Sequence, residues 1–367
     1  VLTGDIFNLF VFLEITAIAA YSLTAFLRDH DGAEAAFKYL LIGSFASSFV
    51  LLAIMFLYAE TGTLNMAEIA SLAHTIPDQT KALILILFVV GLGIEAELFP
   101  LNGWAPDAYS QAPSPIGAVF AGIVVKAAVY ALMRVIFTIF QFTAILQFLT
   151  IIGVVTLLIA EMAAMKQRQI KRMLAFSSIG QMGLVIIAFS LGSQAGIEGA
   201  LFQMLNHAII KVLLFFTAGY LVFHTGTKYI SDLVGVGNEK PITAFFFSLA
   251  ALAIIGLPPF SGFWSKLAIL MAIAESGQFV LIALILFGSV IEAIYYLRVI
   301  SMMYHKTDLA RDVRRTPFSG LLAMGILAIL ILYIGFQPGS VQEFIIPAAK
   351  ELLNPDAYIQ HALTGLF

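Results

Sequence analysis

The chain has 367 residues, of which 61% are hydrophobic and only 11% charged, with a net charge of −3. A water-soluble domain of this length carries about 25% charged residues, so this chain lacks the polar surface to live in water, and its small net charge excludes nucleic acid as a partner. It has no cysteine, which excludes disulfides, thiol-ligated metals and iron–sulfur ligation within the chain. No cofactor is expected here, and any electron transfer linked to the chain belongs to another subunit.

A bilayer core about 30 Å thick takes roughly 20 apolar residues per helix. In chain order, apolar runs near 5–27, 36–59, 81–99, 116–139, 144–165, 174–192, 197–223, 242–275, 278–303 and 319–336 predict ten transmembrane helices. Membrane barrel strands are about 9–11 alternating residues long, and these runs are neither short nor alternating. The predicted fold class is therefore all-α integral membrane. The first run has no basic flank and no small-residue cleavage site, so it reads as a span and not as a signal peptide. A start at Val1 instead of Met points to a processed or incomplete N-terminus. The segment 65–74 and the tail after Pro338, where Phe344, Ile345, Ile346, Leu352 and Leu353 sit among polar residues, read as interfacial helices.

Basic residues give the orientation. One set of connections and adjoining helix ends holds Arg28, Lys38, Lys166, Arg168, Lys171, Arg172, Lys228, Lys240, Arg298, Lys306, Arg311, Arg314 and Arg315, while the other holds Lys81, Arg134 and Lys350. This bias predicts basic loops in the cytoplasm and both termini outside, in a multi-pass protein of the cell membrane.

Charges also lie inside the spans. Glu14, Glu95, Glu97, Lys126, Lys211, Lys266 and Glu292 fall in helix interiors, with His207 one turn before Lys211. A lysine at the centre of a span costs about 2.5–3.5 kcal/mol or more, so such residues persist when they pair internally or perform a task. Burial penalises the charged form and a nearby opposite charge restores it, so a group balanced between the two can load or release a proton. His207 and Lys211 share a helix face at a four-residue spacing. No second histidine lies at metal-ligand spacing, so no metal is assigned. The alternative is a set of fixed buried ion pairs; Glu97 and Glu292 could instead sit at a helix end or a subunit contact.

Two spans are interrupted. The third passes through Gly91, Gly93 and Glu95 into Pro100 and then Asn102, Gly103, Trp104 and Pro106; the eighth breaks at Gly256, Pro258, Pro259 and Gly262 before Trp264 and Lys266. Proline removes a backbone donor that lipid cannot replace. The breaks are five spans apart, an odd separation that reverses direction through the membrane, which is the pattern of inverted-topology repeats around a transport site. Pro100, Pro258 and Pro259 are then hinges of broken helices. The predicted organisation is a first, incomplete repeat over 1–140, a second over 141–303, and a cytoplasmic loop, final span and interfacial tail over 304–367.

Several ordered stretches carry a resemblance: Asp5-Ile6-Phe7-Asn8-Leu9-Phe10-Val11-Phe12-Leu13-Glu14, Phe99-Pro100-Leu101-Asn102-Gly103-Trp104-Ala105-Pro106-Asp107-Ala108, Val125-Lys126-Ala127-Ala128-Val129-Tyr130, Ile170-Lys171-Arg172-Met173-Leu174-Ala175-Phe176-Ser177-Ser178 and Asn206-His207-Ala208-Ile209-Ile210-Lys211. The chain resembles the antiporter-like subunits of respiratory complex I, the large Mrp-type sodium/proton antiporter subunits and the ion-pumping subunits of membrane-bound hydrogenases, and is most similar to the last two branches. The resemblance implies about fourteen helices in two inverted five-helix repeats. It places Glu14 on the glutamate of the first repeat, Lys126 on the lysine bridging the halves, Lys211 on the central lysine of the second repeat, and Lys266 at the exit half-channel. It departs in carrying Glu95 where the family has lysine, and in starting at the family's fifth helix.

The resemblance implies a proton- or sodium-translocating, non-catalytic subunit of a redox-driven complex, with other membrane subunits, the lipid bilayer and peripheral iron–sulfur subunits on the cytoplasmic side as partners. A Mrp-type antiporter subunit without a redox module, and a shortened structural subunit with an inactive first half-channel, are the alternatives.

Overall fold

The computed structural model describes residues 3–307 and 316–364; Arg311, Arg314 and Arg315 of the basic-loop count lie outside the described residues. Among the described residues the chain is helical, with two isolated β-bridges in place of any sheet. Eight helices among the described residues are long and apolar enough to cross a membrane. They are α1 (Ile6–Thr24), α2 (His30–Thr61), α6 (Ser114–Phe140), α7 (Leu146–Met165), α8 (Ile170–Ser190), α9 (Gln194–Thr225), α12 (Phe279–Tyr304) and α13 (Phe318–Phe336). The third and eighth predicted spans are each a pair of shorter helices, α4 (Asp78–Glu95) with α5 (Trp104–Gln111), and α10 (Pro241–Ile255) with α11 (Ser261–Glu275). The predicted interfacial segments form α3 (Met66–Leu72), α14 (Gly339–Leu352) and α15 (Pro355–Thr364).

The same plan occurs twice along the chain. Helices α2 and α9 are both 32 residues long and begin 164 residues apart, at 30 and 194. Each starts under a side-chain cap, Asp29 accepting from the Gly32 N–H and Ser193 from the Gly196 N–H, and each ends on a left-handed glycine, Gly62 or Gly226. The bridges Asp5–Asn65 and Gln169–Tyr229 repeat the same spacing. So do two side-chain ties: Thr63 to Glu68, and Thr227 to Asp232.

The breaks close alike as well. The Leu98 N–H donates to the Gly93 carbonyl and the Glu97 N–H to that of Ile94; correspondingly, the Leu257 N–H donates to Leu252 and the Gly256 N–H to Ala253. Both are Schellman closures, which satisfy carbonyls that a helix end otherwise leaves open. The residue in the left-handed position is Glu97 (φ 63°) in one and Gly256 (φ 91°) in the other.

Helix α8 is the centre of the molecule and is almost entirely enclosed. It packs on α7 with backbones touching: a Cβ on Gly183 would lie 2.6 Å from the Leu157 nitrogen and 2.7 Å from the Gly153 carbonyl oxygen. Lipid tails are as apolar as the side chains, so close packing at small residues supplies the helix association that the hydrophobic effect supplies in water. At the periphery α1 turns Phe7, Phe12, Ile15 and Ile18 outward. The tail folds back onto the start of the chain, where Arg134 donates to the Thr3 carbonyl at 2.6 Å and to the Tyr358 hydroxyl at 3.0 Å.

Candidate ion-translocation site

The centre of the second half is Lys211, midway along α9 and fully buried. Its ammonium donates to the Ser177 hydroxyl at 2.7 Å, the Leu174 carbonyl at 3.1 Å and the Tyr296 hydroxyl at 3.1 Å. All three partners are neutral. Three carboxylates, Glu292, Glu161 and Glu97, act on it electrostatically from further away.

Lys266 differs in having a direct counter-charge. Its ammonium lies 2.6 Å from Glu292 Oε2, and donates at 3.0 Å to the Ile255 carbonyl, at the open end of α10. Gly256 makes this possible, because a Cβ there would fall 2.9 Å from Lys266 Cδ. The other oxygen of Glu292 accepts from Gln181 (2.7 Å), whose own oxygen accepts from Gln203 (2.6 Å); the Gln203 oxygen accepts from Ser265 (2.6 Å), which accepts from Asn206 (2.9 Å). Every member is buried. Amides do not readily pass protons on, but a satisfied amide chain holds its charged end group in one orientation.

Lys126 joins the two halves. It follows a π-helical turn, Phe120–Val124, and donates to the Ala121 carbonyl and, at 2.5 Å, to His207 Nδ1. A π-turn disturbs the regular backbone pairing, which suits a carbonyl that also takes a side-chain donor. The geometry makes His207 Nδ1 an acceptor whenever Lys126 is charged, so the ring proton then sits on Nε2. That nitrogen is buried without a partner.

The first half is built of acids. Glu14 on α1 accepts from Ser47 on α2 and is only half-buried, as is Glu95 at the last turn of α4. Lys126 makes no ion pair with either of them. Glu97 is fully buried and neither of its oxygens has a hydrogen bond of good geometry; Tyr109, Lys126 and Lys211 all act on it. Glu97 and Glu292 therefore lie inside the protein, not at its edge. The first break is sealed by Trp104, whose indole N–H donates to the Ile94 carbonyl at 3.2 Å while its ring stacks on Tyr39 at 3.9 Å. Pro100, Pro258 and Pro259 lie in the turns between the half-helices, outside the polar cluster.

Sequence reasoning missed Glu161, Gln181, Gln203, Tyr295 and Tyr296. Only Glu161 carries a charge to signal it, and it lies four residues from the end of α7, where a carboxylate reads as a solvated helix terminus. Among the described residues no group of three or more histidine, aspartate or glutamate side chains is arranged to hold a metal ion.

Residues 3–292 match the family described as NADH:quinone oxidoreductase/Mrp antiporter, transmembrane. The chain belongs to this family. It is 41% identical over 309 residues to NADH-quinone oxidoreductase subunit N of Desulforudis audaxviator, covering 83% of this chain and 62% of that relative. Among solved structures it is similar to the membrane-bound sulfane sulfur reductase, an archaeal respiratory membrane complex, with a TM-score of 0.92 and 41% identity over 98% of this chain and 74% of that one. It is equally similar in shape to a chain of the Mrp complex from Dietzia sp. DQ12-45-1b, with a TM-score of 0.92 and 25% identity over 98% of this chain and 76% of that one. This family member is thus a multi-pass, antiporter-like membrane protein that spans under two thirds of the length of one curated relative and about three quarters of these solved chains.

Proposed function

We propose that this chain translocates protons or sodium ions as an antiporter-like subunit of a redox-driven membrane complex. The observation that carries the reading is that Lys126 and Lys211, both buried at membrane depth, bond only to neutral groups. A buried ammonium without a direct counter-charge costs several kcal/mol and contributes nothing to stability. Residues that lose and regain a proton escape that cost during part of a cycle.

In this reading Lys126, His207, Lys211 and Lys266 carry the proton in the second half, with Glu292 as the counter-charge of Lys266. Glu97, within the field of both Lys126 and Lys211, links the halves. Moving a proton between a lysine and a carboxylate converts an ion pair to a neutral pair, so the low-dielectric interior never holds an added net charge. Glu14 and Glu95 form the entry side of the first half, where two acids suit a cation or a shared proton.

The repeated plan supports dividing the chain into a first repeat over 1–140, a second over 141–303 and a terminal region beyond. The basic-residue bias supports cytoplasmic placement of the loops holding Lys166, Arg168 and Lys228, with both termini outside. The likeness to chains of respiratory and Mrp complexes supports other membrane subunits as neighbours. Peripheral iron–sulfur subunits on the cytoplasmic side are the partners a redox-driven complex requires.

Ion flux into vesicles containing the intact complex tests the proposal. Lys211→Ala is expected to abolish flux with the complex still assembled; undiminished flux would leave a structural subunit as the better account. A second reading, a Mrp-type antiporter without a redox module, is favoured by the Mrp likeness. Iron–sulfur proteins co-purifying with the chain would exclude it.

A further inference from the structure

Glu161 has no part in the pathway above, yet its surroundings are built for it. It lies on α7, 1% exposed. Oε2 accepts from the Tyr295 hydroxyl at 2.9 Å, and Oε1 is buried without a hydrogen bond. Oε1 sits where only a glycine on α8 leaves room, since a Cβ on Gly180 would fall 2.4 Å from it. Ser177, one turn before Gly180 on α8, is a partner of Lys211. Tyr295 lies beside Tyr296 on α12, with ring centres 4.8 Å apart, and the Tyr296 hydroxyl bonds both Lys211 and Ser177 at 3.1 Å. Ser177 also acts on the Tyr295 hydroxyl, so Glu161 approaches the Lys211 cluster from α7 across the hydroxyls of Tyr295, Ser177 and Tyr296.

The other carboxylates around Lys211 are engaged elsewhere. Glu292 is held by Lys266 at 2.6 Å, and Glu97 lies in the field of Lys126 as well as Lys211. Glu161 has no basic side chain among its hydrogen-bond partners. A carboxylate sealed in a membrane helix bundle with one oxygen unpartnered is costly as a static feature. It is well suited as a group that is protonated in one state and ionised in another.

We infer that Glu161 is the proton-exchange partner of Lys211, forming a side branch from the centre of the second half to α7. The step balances: the Lys211 ammonium gives a proton to the hydroxyl layer of Ser177, Tyr296 and Tyr295, which passes one on, and the Glu161 carboxylate becomes a carboxylic acid while Lys211 becomes a neutral amine. No net charge is created.

This inference rests on the proposed translocation, and one set of variants separates the two. In vesicles bearing the intact complex, Glu161→Gln keeps the shape and the acceptor for Tyr295 but cannot ionise; flux is expected to fall at least tenfold with assembly unchanged. Gly180→Ala, which drives a methyl group into Oε1, is expected to lower flux in the same direction. Infrared difference spectra between driven and resting states should show a carboxylic-acid C=O band that Glu161→Gln removes. Wild-type flux in Glu161→Gln beside abolished flux in Lys211→Ala would overturn the inference and leave the function standing. Wild-type flux in both variants would overturn the function itself. If Glu161→Gln fails to assemble, the unaltered complex still decides by the infrared band: no protonation-dependent C=O signal overturns the inference.

Discussion

Glu97 and Gly256 stand at equivalent points of two helix ends, each in the left-handed position of a Schellman closure, with φ of 63° and 91°. Glycine takes that conformation freely, whereas a residue with a Cβ gives up about 1–2 kcal/mol. The first break therefore holds a strained residue that is also a fully buried acid, while the second holds the residue that backbone chemistry favours. Strain kept at such a point suggests a role for its side chain.

The two positions should respond oppositely to substitution. Glu97→Gly is expected to stabilise the isolated protein by about 1–2 kcal/mol through backbone relief, yet to lower flux in the complex. Gly256→Ala should destabilise by at least a similar amount, because it adds strain and meets Lys266 Cδ at 2.9 Å. Denaturation midpoints in mixed micelles check both; a destabilised Glu97→Gly variant would contradict the strain argument.

The Lys266–Glu292 pair should behave as one unit. Removing either partner alone leaves an uncompensated buried charge, at a cost of about 3–5 kcal/mol. The double variant Lys266→Met with Glu292→Leu should recover more than half of that loss, since the desolvation cost disappears with the charges. A double-mutant cycle on unfolding free energies measures the coupling; simple additivity would mean that the 2.6 Å contact is energetically idle.

Lys211 is expected to be indispensable for flux and its neutral partners only contributory. Ser177→Ala and Tyr296→Phe each remove one hydrogen bond to a charged group, worth about 1.5–3 kcal/mol. Each should slow flux without abolishing it, in contrast to Lys211→Ala. Rates in vesicles rank the three, and a complete loss in Ser177→Ala would mean that the hydroxyl itself is obligatory.

Lys126 and His207, 2.5 Å apart, should show non-additive effects. If they pass the same proton, Lys126→Ala, His207→Ala and the double variant will reduce flux to a similar level. A double variant much worse than either single one would place them on separate routes.

Trp104→Phe isolates the seal of the first break. It keeps an aromatic ring against Tyr39 and removes the indole donor from the Ile94 carbonyl. A loss of about 1 kcal/mol is expected, with faster hydrogen exchange at the end of α4 as the local check.

Read from the sequence alone, the membrane class, the ten spans and the two breaks were legible because each rests on local chemistry: apolar runs of bilayer length, and proline with glycine where a helix cannot continue. That Lys126, Lys211 and Lys266 lie inside the bundle was legible for a related reason, since each falls within an apolar run. Which charges meet was not legible. Glu292 turns out to hold Lys266, His207 takes its close contact from Lys126 on another helix and not from Lys211 on its own, and the acid bonded by Tyr295 is Glu161, four residues from a helix end. These partnerships are decided by which helices touch, and that depends on close approaches such as Gly183 of α8 against Leu157 of α7 and Gly180 beside Glu161. Composition and spacing determine that charges are buried; only the packing of α7, α8, α9 and α12 determines what each of them faces.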